Sequence, residues 1–574
     1  MAVYTVRGVA PEDVREALKN YPELVRDILY HRGVRTRHEA EQFLHPDYAR
    51  GVHDPLLMLG MERATGRIME AIEKKERIVI FADYDHDGIP GGVILSDFFA
   101  AAGYKNVHVY IPHRNVEGFG LQKESVEKLA ADGAKLIITV DCGITASAPV
   151  ARARALGIDV IITDHHLSNG SIPEAHAILN PKQTGDTYPF KELCGSGVAF
   201  KLVQALTKEL KTKNLQLKVI PEGWETSLLD LVAIATIGDM VSLTGENRTL
   251  VHAGLMALRK SSRPGLKALV GIAKLDQGHV SEDDVAFMLT PRINAASRMD
   301  TPELAFNLLA AKSALEAEPL VTELNHINDQ RKGLVASVVK EVHRRLATRP
   351  ELPEVIVVGD TDWQPGILGL AANAVVEKEG RTAFLWGRGD SLDIRGSCRS
   401  KGGVDVVDLM EALPKETFIE MGGHTNSGGF SITSEHLHHL EEQLNEAYRK
   451  IYGGEPQKDE TVFVDGKLSL GDVRWEVYGE LERLAPFGVG NPKPLFMFSG
   501  VTIVEVKHFG SDKNHLQLIV GSGGVQALAM SFFNTSGSFG TELTNGMTID
   551  LVATMEKSVF RGTPELRLRI VDIV

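Results

Sequence analysis

Three alternating aspartates follow an apolar run in the segment Arg77-Ile-Val-Ile-Phe-Ala-Asp83-Tyr-Asp85-His-Asp87-Gly88. The run is short, apolar and rich in β-branched residues, which predicts a buried strand that ends at the first aspartate. In an extended strand end the three aspartates share one face. Gly88 and the pair Gly91-Gly92 predict a tight turn into a helix, whose N-terminus favours anions such as phosphate.

Four further segments end an apolar run in charged side chains. They are residues 108–114, 136–143, 160–166 and 231–239, and we predict that each begins as a strand. In open parallel sheets, ligands bind outside the carboxyl ends of the strands, so acids repeated at those ends converge. Carboxylates gathered so closely repel one another and protonate unless cations lie between them. The pattern therefore predicts a site for one divalent cation or a pair of them.

Bulk properties limit the class of protein. The chain has 574 residues, which predicts about three domains, and its 43% hydrophobic and 24% charged residues are ordinary for a globular protein. No apolar run approaches the roughly 20 residues of a membrane span, and the start lacks a secretory pattern. Three separated cysteines fit a reducing cytoplasm. A formal net charge of −14 argues against a protein that coats nucleic acid generally.

The order of patterns along the chain predicts five regions. Residues 1–75 look helical, and residues 76–315 alternate strands with helices before a mostly helical stretch, which predicts a parallel sheet. Residues 316–347 carry apolar side chains on one face of a long connecting helix. Residues 348–455 form a second α/β block. Residues 456–574 begin within a Gly- and Pro-containing linker at 453–459 and have the pattern of a small β-barrel.

The segment Asp164-His165-His166 gives the most specific indication of the metal type. Adjacent imidazoles after a strand point to opposite sides, so that one can bind a metal while the other faces a substrate. Oxygen ligands with one imidazole suit Mg²⁺ or Mn²⁺ better than a thiolate-rich zinc site. The alternative interpretation is a solvated acidic loop beside surface histidines.

Four of these segments together resemble a known family. Asp83-Tyr-Asp85-x-Asp87-Gly88, Val140-Asp141-Cys-Gly143, Asp164-His165-His166 and Gly238-Asp239-Met-Val look like the four motifs of the DHH phosphoesterases. Within that family the chain is most similar to the bacterial single-strand-specific 5′→3′ DNA exonucleases. Further similar stretches lie at 110–121, 188–201, 291–298, 396–400, 422–424 and 484–496. Two positions depart from the family pattern, Pro90 and Gln364.

The resemblance implies a fold and a set of roles. The fold would be α/β: a parallel-sheet DHH catalytic domain, a long connecting helix, a second α/β DHH-associated domain and a C-terminal barrel of the oligonucleotide-binding (OB) type. Two Mn²⁺ or Mg²⁺ ions would be held by Asp83, Asp85, Asp87, Asp141, His165 and Asp239. His166, with Asp164, would act on the scissile phosphate. The candidate substrate-binding residues are Arg114, Arg292, Asn294, Arg298, Ser397, Arg399 and His424.

The implied activity is metal-dependent 5′→3′ degradation of single-stranded DNA to 5′-mononucleotides, in DNA repair and recombination. The direction of digestion comes only from the resemblance. Single-stranded DNA would be the partner, with a helicase and a single-strand-binding protein beside it, and the chain would be a cytoplasmic monomer without membrane contact. Candidate contacts in the barrel are Lys507, His508, Phe509, Lys513 and His515, although Phe509 fits a core position equally well.

Two alternatives remain open from the sequence. One is a DHH phosphoesterase that hydrolyses a small substrate such as a cyclic dinucleotide, a short oligonucleotide or pyrophosphate. The other is a non-catalytic DNA-binding relative that acts as a replication scaffold. Relatives of the first kind are generally shorter, and those of the second kind lose motif acids that are all present here.

Overall fold

A computed structural model describes most of the chain. The described residues are 3–114, 116–168, 170–212, 217–299, 301–389, 393–453, 461–510, 513–558 and 564–574. Within them no helix is both long enough and apolar enough to cross a membrane.

The N-terminal region is mainly helical. Its elements are β1 (Val3–Val6), α1 (Glu12–Ala17), α2 (Glu23–His31), α3 (Arg37–Leu44), α4 (Tyr48–Gly51) and α5 (Met61–Glu73). Strand β1 was not predicted, because it is short and pairs in parallel with a strand more than 450 residues away, Thr461–Val464. No local pattern reports such a distant partner.

A five-stranded parallel sheet forms the centre of the first α/β block. Its elements are β2 (Arg77–Ala82), α6 (Gly88–Ala102), β3 (Val107–Tyr110), α7 (Lys123–Ala131), β4 (Ala134–Val140), α8 (Ser147–Ala155), β5 (Asp159–Thr163) and β6 (Ala177–Leu179). The strand order is β3-β2-β4-β5-β6. The strands β2, β4 and β5 are almost continuously buried, which explains their uninterrupted apolar sequences. The parallel sheet predicted from the sequence is confirmed.

The segment 231–239 corrects the prediction of a further strand. It belongs to a helical layer made of α9 (Gly195–Thr212), α10 (Leu229–Gly238), α11 (Gly245–Lys260), α12 (Pro264–Ile272), α13 (Glu282–Asp284), a π-helical turn (Val285–Leu289), α14 (Thr290–Met299) and α15 (Pro302–Ala310). Residues 229–237 of α10 are buried on every side. A helix buried all round has no amphipathic period, and a short apolar run cannot then be told from a strand.

The second α/β block follows the 33-residue helix α16 (Ala314–Leu346). Its elements are β7 (Val355–Asp360), α17 (Pro365–Glu379), β8 (Thr382–Gly387), β9 (Ile394–Arg399), α18 (Val406–Glu411), β10 (Phe418–His424), β11 (Ser427–Ile432), α19 (Ser434–Leu437) and α20 (Leu440–Tyr452). The sheet order is β10-β11-β9-β8-β7, with only β7 and β8 parallel. Residues 454–460, most of the predicted linker, lie outside the described residues.

The C-terminal region is a closed β-barrel. Its elements are β12 (Thr461–Val464), β13 (Gly466–Lys467), α21 (Trp475–Glu482), β14 (Phe496–Phe509), β15 (His515–Ser522), β16 (Val525–Ser531), β17 (Thr548–Ser558) and β18 (Glu565–Ile573). Closure arises because β14 pairs with both β15 and β17, while β18 joins β16 to β17. The predicted barrel is therefore confirmed, and N-terminal side chains such as Val25 and Ile28 pack into its core cluster.

Candidate metal centre

The turn between β2 and α6 gathers three carboxylates. Asp85 Oδ1 accepts hydrogen bonds from the backbone N–H groups of Asp87 (2.8 Å) and Gly88 (3.1 Å). A Cβ on Gly88 would lie 2.4 Å from the carbonyl oxygen of Asp83, so only glycine permits this close turn. Pro90 lies in the first turn of α6, where proline is compatible with a helix.

Asp141 and the Asp164-His165-His166 segment follow the neighbouring strands β4 and β5. Asp141 has a φ of +61°, an uncommon conformation for a residue with a side chain. The Asp164 carboxylate accepts from the N–H groups of Ile144 (2.8 Å), His165 (2.7 Å) and His166 (3.1 Å). It also contacts Nδ1 of His166 at 2.8 Å. Asp164 therefore organises this turn and orients the second imidazole.

Two helix ends complete the cluster. Asp239 caps the C-terminus of α10, so a helix delivers the acid that we predicted at a strand end. The fully buried Asp87 accepts from the first N–H groups of α9, Gly195 to Oδ2 (2.6 Å) and Ser196 to Oδ1 (2.7 Å). These amides orient the Asp87 carboxylate, as helix N-termini do with anions.

The ligand atoms form two principal groups that meet at one contact. Oxygens of Asp83, Asp85 and Asp141 lie within 4.8 Å of one another, and so do atoms of Asp87, His165 and Asp239. Nε2 of His165 lies 3.2 Å from Asp141 Oδ1, 3.6 Å from Asp239 Oδ2 and 3.8 Å from Asp87 Oδ2. Asp141 therefore borders both groups. A third set, Asp141 with both histidines, satisfies the same distance.

The charge state of the cluster is suited to cations. Burial, and next the neighbouring Asp85, raise the pKa of Asp83 well above its usual range, while burial and Asp87 do the same to the pKa of Asp141. Burial and Asp87 raise the pKa of Asp239 to about 9. Asp83 Oδ1 and Asp141 Oδ1 are buried with no hydrogen-bond partner among the described residues. Divalent cations would supply that partner, and this oxygen-rich donor set with one imidazole suits Mn²⁺ or Mg²⁺.

His166 differs from His165 in its surroundings. Burial lowers the pKa of His165. Burial also opposes a charge on His166, but the hydrogen bond to Asp164 and the negative charges of Asp164, Asp87 and Asp85 together outweigh it and raise the pKa of His166. Burial likewise opposes a charge on Asp164, but the hydrogen bond and charge of His166 and the backbone N–H donors together lower the pKa of Asp164. The ring of His166 packs at 5.8 Å against the half-exposed Phe119. We did not predict a role for Phe119, and its only sequence signal is the pair of glycines on either side of it.

Four arginines lie together beside the metal centre. Burial, and then the like charges of Arg114, Arg331 and Arg399, lower the pKa of Arg298 to about 9. Among the described residues, no carboxylate forms an ion pair with any of the four. Arg114 instead lies over the ring of Tyr84, 5.2 Å from its centre. Such unneutralised guanidinium groups are suited to binding phosphate oxygens. Arg331, on α16, was not among the predicted residues.

Two other predicted substrate-binding residues, Arg292 and Asn294, form hydrogen bonds within the protein. Arg292 donates to Asn325 and to the carbonyl of Met288. Asn294 accepts from the backbone N–H of His86 at 2.9 Å, so it holds the aspartate turn.

Three predicted residues lie on the second sheet. Ser397 and Arg399 alternate on β9 and share a face, and His424 is exposed on the same rung as Arg399, two strands away. Gln364, where the family pattern has histidine, forms the N-cap of α17.

Three family models match the chain. The "DHH family, N-terminal domain" model matches residues 77–236, the "DHHA1 domain" model matches 352–451, and the "RecJ OB domain" model matches 464–572. These three regions correspond to the parallel-sheet block, the second α/β block and the barrel.

Curated proteins named "Single-stranded-DNA-specific exonuclease RecJ" are similar over nearly the whole chain. The Bacillus subtilis protein is 34% identical over 96% of this chain and 67% of its own length. The Salmonella typhimurium protein is 31% identical over 98% of this chain and 97% of its own length. These relatives span all regions of the chain, the N-terminal helices included.

Solved structures agree with the sequence comparison. RecJ from Thermus thermophilus in complex with Mn²⁺ superposes with a TM-score of 0.82 and 27% identity, covering 100% of this chain and 79% of that one. The Mg²⁺ complex of the same protein gives a TM-score of 0.76. A structure described as exonuclease RecJ bound to manganese is 32% identical over 70% of this chain and 96% of that one, with a TM-score of 0.59.

Proposed function

Because this chain belongs to the RecJ family of single-stranded-DNA-specific exonucleases, we propose that it degrades single-stranded DNA from the 5′ end to 5′-mononucleotides with divalent metal ions. The chain is an exonuclease with a DHH domain, a DHHA1 domain and an OB barrel. The observation that carries the proposal is the pair of ligand groups that meet at Asp141. A role in DNA repair and recombination is consistent with this family.

We assign the ligand groups to two ions. Asp83, Asp85 and Asp141 would hold one ion, and Asp87, His165 and Asp239 the other, with Asp141 shared. A pair of divalent ions held by these residues would supply activation of a water molecule and neutralisation of charge on the phosphoryl oxygens. The resemblance to RecJ structures in complex with Mn²⁺ and with Mg²⁺ supports either metal.

His166 is proposed as the residue that acts on the reacting phosphate. Its Nδ1 is held by Asp164, so its orientation is fixed and its pKa is raised. A partly exposed imidazole in this state can donate a hydrogen bond to a phosphate oxygen or a proton to the leaving oxygen. Asp164 is thereby a positioning residue for His166.

The guanidinium cluster is proposed as the phosphate-binding surface. Arg114 comes from the first α/β block, and Arg399 comes from the second. Arg298 lies on α14 of the helical layer, and Arg331 lies on α16. Arg298 Nη1 also donates to the carbonyl of Gly366 on α17 at 3.0 Å, so it links the two blocks. A strand bound here would contact both blocks at once. Ser397 and His424 would extend this surface along the second sheet.

The barrel is proposed to bind the strand beyond the active site. Phe509, His515, Phe532 and Phe533 form a chain of ring contacts with centroids 4.9–5.8 Å apart. Arg569 lies 4.1 Å from the centre of the Phe532 ring. Aromatic rings beside cations bind single strands by base stacking and phosphate attraction.

We also propose that the protein acts as a cytoplasmic monomer on strands that a helicase separates and a single-strand-binding protein covers. The support for the helicase is chemical, since an enzyme specific for single strands depends on another activity to open a duplex.

A length series tests the proposal against a phosphodiesterase for small substrates. We expect that a single strand of about 40 nucleotides is hydrolysed in Mn²⁺ with a higher kcat/KM than a dinucleotide, because only the long strand reaches the barrel. The matching duplex should resist, and EDTA should stop the reaction. A preference for dinucleotides or cyclic dinucleotides would contradict the exonuclease assignment, and tight binding without turnover would favour a non-catalytic relative.

A further inference from the structure

The segment between α21 and β14, residues 484–495, is called here the docking loop. It contacts the catalytic block at several points. Val489 O accepts from the N–H of Leu243 at 2.7 Å. Ala485 O and Pro486 O accept from the guanidinium of Arg248 at 2.8 and 3.2 Å. Glu282 accepts from the N–H of Phe487 at 3.0 Å, and Lys493 pairs with Asp283. The docking loop therefore fastens the barrel to the catalytic block.

The contact is too close for side chains at two positions. A Cβ on Gly488 would lie 2.6 Å from Leu243 Cδ1. Gly490 has a φ of +77°, and its Cβ would lie 2.4 Å from Ser242 Oγ. The buried Asn491 fixes the shape of the loop by donating to the carbonyls of Leu484 and Pro486, both at 2.9 Å. The docking loop is thus a preformed surface that fits residues 242–243.

Those residues directly follow the metal-ligand candidate Asp239. Only Met240, Val241 and Ser242 separate Asp239 from Leu243, and Met240 has a φ of +57°. On its N-terminal side Asp239 is held by α10, since its N–H donates to Ala235 O at 2.8 Å. On its C-terminal side, the first hydrogen bonds to other segments among the described residues are those of Ser242 O, which accepts from Asn247 (3.0 Å), and of the Leu243 N–H, which donates to the docking loop. The loop therefore fixes the backbone that leads away from Asp239.

We infer that the docking loop is a positioning element for Asp239, so that the affinity of one metal ion depends on how the barrel is seated on the catalytic block. This inference rests on the proposed role of Asp239 as a metal ligand. Besides binding DNA, the barrel would then contribute to activity through metal affinity, even on substrates too short to reach the barrel. Groups that orient a metal ligand typically change metal affinity by about 10- to 100-fold when they are altered.

The test compares two glycine substitutions in the full chain. Gly490→Ala strains a left-handed backbone and collides with Ser242. Gly500→Ala imposes the same kind of strain, at a φ of +63°, with nothing within 4 Å of its Cβ. We expect Gly490→Ala alone to weaken binding of one Mn²⁺ ion by about tenfold in an EPR titration. Amides of residues 239–248 should also exchange faster in the metal-free variant. Equal Mn²⁺ affinity and equal exchange in the two variants would overturn the inference.

Three further variants make the outcome unambiguous. Adding Ser242→Gly to Gly490→Ala removes the colliding oxygen, so most of the lost affinity should return. If Gly490→Ala does not fold, Gly488→Ala serves as the milder substitution, because the three atoms nearest to its Cβ all belong to the flexible Leu243 side chain. Asp239→Asn separates the two claims. If it keeps both ions, the ligand assignment is wrong, whereas if it loses one ion while the glycine variants do not, only the coupling is wrong.

Discussion

At the scale of single residues, Asp141 is the carboxylate that borders both groups of candidate metal ligands. It belongs to the group with Asp83 and Asp85, and it lies 3.2 Å from His165 in the other group. Asp141→Asn should therefore lower the rate of hydrolysis by several powers of ten, because both ions lose a ligand. The rate on a single strand in Mn²⁺ measures this, with the exposed Asp132→Asn as a control. Near-normal turnover in well-folded Asp141→Asn would reject the two-ion assignment.

Substitutions of the two adjacent histidines should have different effects on metal binding and on the rate. Nε2 of His165 faces three carboxylates, so His165→Ala should weaken Mn²⁺ binding, and excess Mn²⁺ should partly restore the rate. His166 is held by Asp164, so His166→Ala should keep the ions and lower kcat. Metal titration and single-turnover rates distinguish these effects. Equal loss of metal in both variants would show that the roles are not separate.

The raised pKa values predict that metal binding releases protons. The pKa of Asp239 rises from 3.8 to about 9 in the metal-free site, and those of Asp83 and Asp141 rise as well, so protonated carboxyl groups are present at pH 7. A cation binds the ionised form, so Mn²⁺ affinity should increase as pH rises towards 9. Calorimetry at pH 7 in two buffers of different ionisation enthalpy measures the protons released. Heats that do not depend on the buffer would contradict the predicted protonation.

Sequence reasoning predicted that the acids after β2, β4 and β5 lie close together, because the strand ends of a parallel sheet meet whatever the details of packing. It could not identify Arg331 or Phe119. Arg331 is one of many charged residues on a long helix, and only the arrival of Arg298 and Arg399 from other elements makes it part of a cluster. Convergence of this kind depends on tertiary packing, which the local pattern does not encode.

At the scale of elements, α10 is a helix where we predicted a strand, yet Asp239 at its C-terminus lies in the predicted cluster. The run is buried on all sides, so its composition is that of a buried strand. Either element can present Asp239, because the C-terminus of a buried helix and that of a strand can reach the same sheet edge. The location of the acid was therefore more predictable than the element that carries it.

The exposed ring of Phe533, just after β16, predicts that the barrel binds DNA without taking part in hydrolysis itself. Phe533 is 79% exposed with a φ of +62°, and its N–H donates to His515 at 2.9 Å, so the backbone holds an apolar ring in solvent. Phe533→Ala should raise the Kd for a long strand by about 5- to 100-fold, as expected for one lost base stack. Hydrolysis of a dinucleotide should not change.

Val525, exposed at the opposite end of β16, supplies the matched control Val525→Ala. Binding to a long strand is compared for the two variants at two salt concentrations. If Phe533→Ala binds the long strand as tightly as Val525→Ala does, the ring cluster is not part of the DNA-binding surface.

At the scale of the whole molecule, the two ends of the chain are built into one unit. β1 pairs with β12, Tyr4 donates to Asp572 at 2.7 Å, and N-terminal helices share the core of the barrel. The sequence predicted the N-terminal helices and the barrel, but it did not predict that they pack together. Contacts between residues hundreds of positions apart leave no periodic signal in the sequence. Removing the barrel would therefore expose the N-terminal core, so point substitutions are the better probes of its function.

Product analysis of one labelled strand tests the central claim most directly. The full chain is incubated in Mn²⁺ with a single strand that carries a labelled 5′-phosphate. We predict that the label appears first as a 5′-mononucleotide, that Asp141→Asn and EDTA each abolish its release, and that a blunt duplex of the same sequence keeps its label. A label that remains on long fragments while the strand shortens, or release that persists without metal, would contradict a metal-dependent exonuclease acting from the 5′ end.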